Sequence, residues 1–273
     1  MSALSEPTFA WEPVTPRGVA AFARASFSRL FLVHALVAGL ATCAVIFFLE
    51  QGIFPTLDDA IEALPEQGSI LHGQLQWSGD SPALLAEGNI LAFDVDLDHS
   101  GDLRSPADFQ FEFGTNTVII LSLFGPAEFD YPPDYAPNTF IPANRTDLRP
   151  IWDAWRPDLV GLVAVGTFVG LLVTWFILAT VYCLPVWLIG FFANRQLGLL
   201  ASWRLAGASL MPGAILFSCT LVAYELGVCD LLQFLYVFGL HFVVGWIYLF
   251  VAPMFLNRGG PTPAKGNPFK SGT

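Results

Sequence analysis

The longest pattern along this chain is a series of uncharged apolar runs separated by polar stretches. The first run, Leu30–Leu49, holds 20 residues without a charge. Because a helix rises about 1.5 Å per residue, about 20 residues cross a hydrocarbon core about 30 Å thick. The later runs are Leu159–Phe192, Leu205–Val228 and Leu231–Leu256. We therefore predict four transmembrane helices, and the length of the second predicts a tilted helix kinked near Pro185.

The segment before the first run predicts a surface helix. Thr15–Arg29 begins with a threonine and a proline, which favour a helix start, and then mixes apolar with basic residues. This pattern is typical of an amphipathic helix lying on the inner membrane surface. A cleaved signal peptide is an alternative, but the lead-in is long and no small-residue cleavage site follows the run. Lipidation at Cys43 is another, but apolar residues continue beyond that cysteine.

The stretch Phe93–Asp102 alternates apolar residues with aspartates, and this alternation indicates a strand. We expect the strand to be half-buried, with its carboxylates facing water, and Ser100-Gly101 to supply the turn after it. Gly125–Pro157 is rich in proline and predicts an extended return to the membrane. The neighbouring segments predict a helix at Leu57–Leu64 and strands at Ile70–Trp77, Asn89–Asp98, Phe109–Phe113 and Thr117–Phe124.

Together these elements predict an integral membrane α-helical protein. A small extracytoplasmic α+β domain is inserted between the first and second of its four transmembrane helices. The arginines and lysines near the span ends fall on one side, which predicts cytoplasmic termini for a multi-pass protein of the bacterial inner (plasma) membrane. The predicted boundaries are 1–29 for the cytoplasmic tail and amphipathic helix, 30–49, 159–192, 205–228 and 231–256 for the transmembrane helices, 50–158 for the outer domain, and 193–204 and 257–273 for the cytoplasmic loop and tail.

Composition and charge agree with this division. The chain is 54% hydrophobic and 13% charged, with a mean hydropathy of +0.58, which is too apolar for a soluble protein of 273 residues. Residues 50–158 hold 19 acidic side chains and four arginines, a net charge of −15, whereas the whole chain carries −11. No dense basic cluster exists, so nucleic acid is not an expected partner. The four cysteines lie outside the acidic domain and form no CxxC pair, which argues against a disulfide framework there and against thiolate zinc.

Three short motifs are similar to those of a bacterial membrane family. They are TPRGVAAFARASFSRLF, LDHSG and SWRLAGASLMPGAILF. The chain resembles the MalA-type, Yip-like integral membrane family of unknown function, in which a proline-basic motif, an Asp-x-x-Gly turn and an arginine before a proline recur. The matching positions are Pro16-Arg17 with Arg24, Asp98–Gly101, and Arg204 with Pro212. The resemblance implies an accessory role in carbohydrate uptake or envelope function, without catalytic residues to transfer.

The acidic turn after the predicted strand is a candidate Ca²⁺ site. Its residues follow the DxDxSG spacing of a calcium loop, in which oxygen ligands recur at alternate positions. The candidate ligands are Asp96, Asp98, Ser100 and Asp102. The twelfth position is Ala107, where such loops place a bidentate glutamate. A solvated acidic turn explains the same residues, so the two interpretations stay open, and no other cofactor is expected.

Three ionisable residues lie within or at the ends of the apolar runs. His34 and His241 fall inside predicted helices, and Glu225 lies near the outer end of one. Ionisable groups inside a membrane are functional candidates, for example in a proton relay. The alternative is that both histidines are neutral and hydrogen-bonded between helices, while Glu225 lies in water at the outer interface.

No sequence motif for nucleophilic, metallopeptidase or phosphate-transfer chemistry is present, so we do not expect an enzyme. We predict an accessory or scaffold subunit that contacts the lipid bilayer and a membrane-protein partner or complex. The alternative is a transporter component or ligand sensor with a solute-binding outer domain. An enclosed pocket between sheet and helices favours the sensor, and an exposed apolar patch favours the scaffold.

Overall fold

The computed structural model describes residues 12–132 and 141–258. The predicted tails at residues 1–11 and 259–273, and part of the return segment, 133–140, lie outside the described residues. The chain forms two compact units. The helical unit is drawn from Met1–Thr42, Gly166–Thr220 and Leu232–Thr273, and the sheet unit from Cys43–Val165 and Leu221–Leu231.

Four helices in the described part of the chain are long and apolar enough to cross a membrane, which confirms the predicted number. They span Phe27–Ala63, Arg145–Phe192, Leu199–Glu225 and Leu231–Phe255. The individual helices are α1 (Pro16–Ala21), α2 (Phe27–Phe48), α3 (Phe54–Ala63), α4 (Arg145–Phe192), α5 (Leu199–Ser209), α6 (Met211–Glu225) and α7 (Leu231–Val251). Shorter turns are 3₁₀ at Phe22–Arg24 and Ala252–Phe255, and π-helical at Leu49–Ile53.

The first described helix of the helical unit has buried apolar side chains. Thr15 caps α1, since its hydroxyl accepts a 3.0 Å hydrogen bond from the amide of the third residue after it. The predicted helix at Thr15–Arg29 is divided into α1, a 3₁₀ turn and the start of α2. Val19 and Phe22 are 0% exposed, and α1 contacts α5. The apolar side chains of α1 and of the 3₁₀ turn therefore pack against protein. The prediction of a single helix is wrong. Its position on the membrane surface stays a prediction.

All four spans depart from their predicted bounds, and the second and third also differ in start or continuity. α4 starts at Arg145, well before the predicted Leu159, and continues as one helix through Pro185. The predicted span Leu205–Val228 is divided between α5 and α6 at Leu210. Pro212 accounts for this break, because it has no amide hydrogen to bond the carbonyl four residues earlier.

In the described part of the sheet unit, eight strands form two sheets. The strands are β1 (Gly68–Leu71), β2 (Gln74–Trp77), β3 (Ala83–Glu87), β4 (Leu91–Val95), β5 (Phe109–Phe113), β6 (Thr117–Ser122), β7 (Gly125–Asp130) and β8 (Ile141–Pro142). One sheet has the order β2-β1-β8 and the other β3-β4-β5-β6-β7. β4 and β5 pair in parallel, with Asp94 beside Glu112, and every other pair is antiparallel.

Two predictions about this unit need correction, and the structure adds one strand. The single strand predicted at Ile70–Trp77 is the hairpin β1–β2, because His72 and Gly73 both adopt positive φ, at 53° and 71°, as a tight hairpin turn requires. β3 was not predicted. The segment Gly125–Pro157 is not extended throughout, since it contains β7, β8 and the first turns of α4. Asn144 caps α4, where its side-chain oxygen accepts a 2.9 Å hydrogen bond from the amide of Asp147.

Candidate functional site

The acidic face of β4 is buried, so the prediction that its carboxylates face water is wrong. Asp94 is 0% exposed and Asp96 is 2% exposed, whereas Asp98, beyond the end of the strand, is exposed. The loop after β4 folds back over this face, and β5 adds the buried side chains of Gln110 and Glu112 to it. Period-two alternation assigns alternate residues to one face, but it does not determine what covers that face.

Asp94 is the most unusual group in this buried cluster. Its Oδ1 accepts a 2.8 Å hydrogen bond from Nε2 of Gln110, while its Oδ2 has no hydrogen-bond partner among the described residues. Burial raises the pKa of Asp94 to about 6, against the effect of the Gln110 hydrogen bond, and the Glu112 and Asp96 carboxylates add to the rise. The carboxyl group of Asp94 therefore keeps its proton at mildly acid pH.

Glu112, His99 and Thr117 form a carboxylate–imidazole–hydroxyl chain. Nδ1 of His99 lies 2.6 Å from Oε1 of Glu112, and Nε2 lies 3.0 Å from the Thr117 hydroxyl. His99 has a φ of +51°, and its ring packs over Gly114, where a Cβ would lie 2.0 Å from Nε2. Arg104 adds a 3.2 Å hydrogen bond to Oε2 of Glu112.

This order of groups is that of a nucleophile–base–acid triad, but its geometry fits a structural role better. Only 9% of Thr117 is exposed, and neither cavity described below is lined by it. These three hydrogen-bonded side chains join the loop after β4 to β5 and β6. We therefore interpret them as holding that loop in place. Sequence reasoning missed His99, Glu112 and Thr117 because no motif links positions this far apart.

The candidate Ca²⁺ residues form a closed turn. Oδ2 of Asp96 accepts hydrogen bonds of 2.7 Å from the Ser100 hydroxyl and 3.0 Å from the Gly101 amide, and the amide of Asp102 donates to Ser100. Burial acts to raise the pKa of Asp96, but these hydrogen bonds outweigh it and lower that pKa. The described residues contain no group of three acidic, His or Cys side chains placed to hold a metal ion. The Ca²⁺ site stays a prediction.

An apolar cavity of about 200 Å³ lies in the sheet unit, on the other face of β4. Phe93 and Val95 line it from β4, and Phe113 lines it from β5. α3 closes another side with apolar residues that include Ala60 and Ile61. None of the described residues that line it is charged. The cavity lies between sheet and helix, and it is partly open rather than fully enclosed.

The three intramembrane candidates lie on three different helices. His34 is 6% exposed on α2, with its ring 5.6 Å from that of Trp175 and its Nε2 without a hydrogen-bond partner among the described residues. His241 lies on α7, where its Nδ1 donates to the carbonyl of Phe238. Glu225 ends α6 and belongs to the sheet unit.

The surroundings of Glu225 differ from the water-exposed position that we predict from the sequence. Its Oε2 is buried and has no hydrogen-bond partner among the described residues. That oxygen packs over Gly52 of the π-helical turn, where a Cβ would lie 2.0 Å from it. The neighbouring Tyr224 hydroxyl donates to Asp108. No described hydrogen bond joins Glu225 to either histidine, so the contacts give no support to a proton relay through these three residues.

No known protein family, curated protein or solved structure matches this chain. The resemblance to the MalA-type family therefore stays a prediction.

Proposed function

We propose that this chain is a multi-pass membrane protein whose sheet unit binds a small apolar ligand and acts as a sensor. The cavity between α3 and the sheets carries the proposal. The proposed location is the bacterial inner membrane, with both termini in the cytoplasm and the sheet unit outside. Large apolar side chains on the candidate spans are exposed as lipid contact requires, for example Leu162 at 71%, Val165 at 64% and Leu232 at 66%.

The size of the cavity supports a ligand with one ring or a short branched chain. Protein interiors are close-packed and contain few voids larger than a water molecule. An apolar cavity of about 150 Å³ in another protein stays dry and binds benzene. The cavity here is about 200 Å³ and has apolar walls, so an uncharged hydrocarbon ligand fits it in both size and chemistry.

The elements that line the cavity are continuous with other parts of the chain. α3 supplies one wall and is joined to α2 through the π-helical turn Leu49–Ile53. β4 supplies another wall through Phe93 and Val95, while its opposite face carries the buried Asp94. A ligand that packs against these walls restricts both elements. We therefore propose that occupancy is transmitted along α3 to α2.

Thermal unfolding of the full chain in detergent, with and without toluene, tests this proposal. Ligand binding to the folded state raises the Tm, and a concentration of about ten times the Kd stabilises by about 1.4 kcal/mol. Ala60→Phe fills the cavity and is expected to abolish most of the shift. Ala127→Leu, at an exposed position of β7, is the matched control and should keep the shift. An equal shift in both variants, or none in the wild type at saturation, would contradict the proposal.

The hairpin β6–β7 supports scaffolding as a second candidate function. Leu123 is 57% exposed, Phe124 77% and Phe129 54%, and β7 is an edge strand. Exposed apolar side chains on an edge strand are suited to pairing with another protein. In mild detergent, a co-purifying partner should be lost with Phe124→Asp but kept with Leu84→Asp, at a residue 47% exposed on β3. A strictly monomeric wild-type protein would exclude this function.

A further inference from the structure

A second cavity, of about 170 Å³, lies within the helical unit. It is bordered by α2, α4, α6 and α7, all of which belong to candidate membrane spans. Aromatic rings form much of its wall, among them Trp175 and Trp246. None of the described lining residues is charged, so the cavity suits a neutral occupant. Unlike the cavity of the sheet unit, it also has polar groups.

His241 provides a hydrogen-bond acceptor in this cavity. Its Nδ1 donates to the carbonyl of Phe238 in the same helix, so in the neutral imidazole the other nitrogen, Nε2, carries a lone pair. The ring stacks on Phe217 with centroids 5.2 Å apart, which fixes its orientation. Gly213 allows α7 to approach α6 at this point, because a Cβ there would lie 2.5 Å from the carbonyl oxygen of His241.

Tyr182 provides a hydrogen-bond donor. Its hydroxyl oxygen accepts a 3.2 Å hydrogen bond from Nε1 of Trp246, and no other hydrogen bond of this hydroxyl is found within the described residues. Its own proton is therefore available to a ligand. Ser218 offers less, because its hydroxyl donates to the carbonyl of Ala214 in its own helix. The cavity thus has one acceptor, one donor and aromatic walls.

We propose that this cavity binds a neutral ligand with a single aromatic ring and a hydroxyl group, such as the phenolic head of a lipid-soluble molecule. The ligand hydroxyl donates to Nε2 of His241 and accepts from the hydroxyl of Tyr182. The ring packs between the aromatic walls, and the volume of about 170 Å³ is sufficient for one substituted six-membered ring. A charged ring would be excluded, because no counter-charge lines the cavity. This proposal does not depend on the sensor function of the sheet unit.

Two probes of nearly equal shape test the inference, p-cresol and toluene, which differ by one hydroxyl. Binding to the full chain in detergent is followed by isothermal titration and by the fluorescence of Trp175 and Trp246, which line the cavity. The titrations use the Ala60→Phe background, so that the cavity of the sheet unit is filled. Two hydrogen bonds should make p-cresol bind at least about tenfold more tightly than toluene.

The variants assign that preference to the two polar groups. His241→Phe and Tyr182→Phe should each weaken p-cresol binding about tenfold while leaving toluene binding unchanged. Unchanged toluene binding also shows that the cavity of the variant is intact. Tyr236→Phe, at a residue 73% exposed on α7, is the matched control and should bind both probes as before. Two results with the Ala60→Phe protein would overturn the inference whatever the other variants show. They are equal affinities for p-cresol and toluene, or no binding of either probe at millimolar concentration.

Discussion

The buried carboxyl group of Asp94 should give the sheet unit a pH-dependent stability. Burial is the main cause that raises its pKa from 3.8 to about 6, so the folded state holds the proton more tightly than the unfolded state. The stability that this proton contributes is fully present below pH 3.8 and is lost as the pH rises through about 6. Asp94→Asn removes the ionisation, while its amide oxygen can still accept the hydrogen bond from Gln110.

The expected effect is large because Asp94 is completely buried. Each pKa unit corresponds to about 1.4 kcal/mol, so the shift of about two units corresponds to about 3 kcal/mol. The stability of Asp94→Asn relative to the wild type should therefore rise by most of this amount between pH 4.5 and pH 7.5. Asp96 has a lowered pKa, so its contribution is lost only as the pH falls below 3.8, and it is common to both proteins.

Amide hydrogen exchange of the full chain in detergent measures this effect locally. Peptides that cover β4 and β5 are followed by mass spectrometry at each pH, and the rates are corrected for the intrinsic pH dependence of exchange. Protection in the wild type should fall by up to about 100-fold with rising pH, and in Asp94→Asn it should stay constant. Asp98→Asn, at an exposed carboxyl in the following turn, should follow the wild type. Identical profiles for the wild type and Asp94→Asn would refute the reasoning.

Two further predictions concern the junction of α3 and α4 within the sheet unit. Arg156 donates hydrogen bonds of 2.6 Å to Glu50 and 2.8 Å to Asp58, so Arg156→Met should lower the free energy of unfolding by about 2 kcal/mol. Arg145→Met breaks ion pairs that are more exposed than those of Arg156, so it should lower the free energy of unfolding by less than about 1 kcal/mol. Equal losses of stability for the two variants in thermal unfolding would contradict this ranking. Asn144→Ala removes the α4 cap and should destabilise by about 1 kcal/mol, whereas an unchanged Tm would show that the cap contributes nothing.

Much of the helical architecture could be predicted from the sequence. An apolar run of sufficient length without charges is a local property, because a helix satisfies its own backbone hydrogen bonds. The number of long apolar helices is therefore confirmed. Their ends were less predictable: Arg145–Asp158 is polar and contains prolines, yet it continues α4, since Arg149 and Arg156 bind acidic residues of the α2–α3 region.

The candidate sites depended more on tertiary contacts. His99, Glu112 and Thr117 are separated in sequence and meet only because β5 and β6 pair and the loop after β4 folds back onto them. Both cavities likewise combine residues from distant elements. The sequence indicated His241 as a candidate, but not that Tyr182 would line the same cavity.

Strand β4 shows what the sequence determines by itself and what only the tertiary structure decides. The sequence alone determined that Asp94 and Asp96 share one face of a strand and that Phe93 and Val95 share the other, because side chains alternate along an extended backbone. Only the tertiary structure decided that the acidic face is covered by the loop after β4 and that the apolar face borders a cavity. Burial depends on which segments pack onto each face, and that is a property of the whole fold.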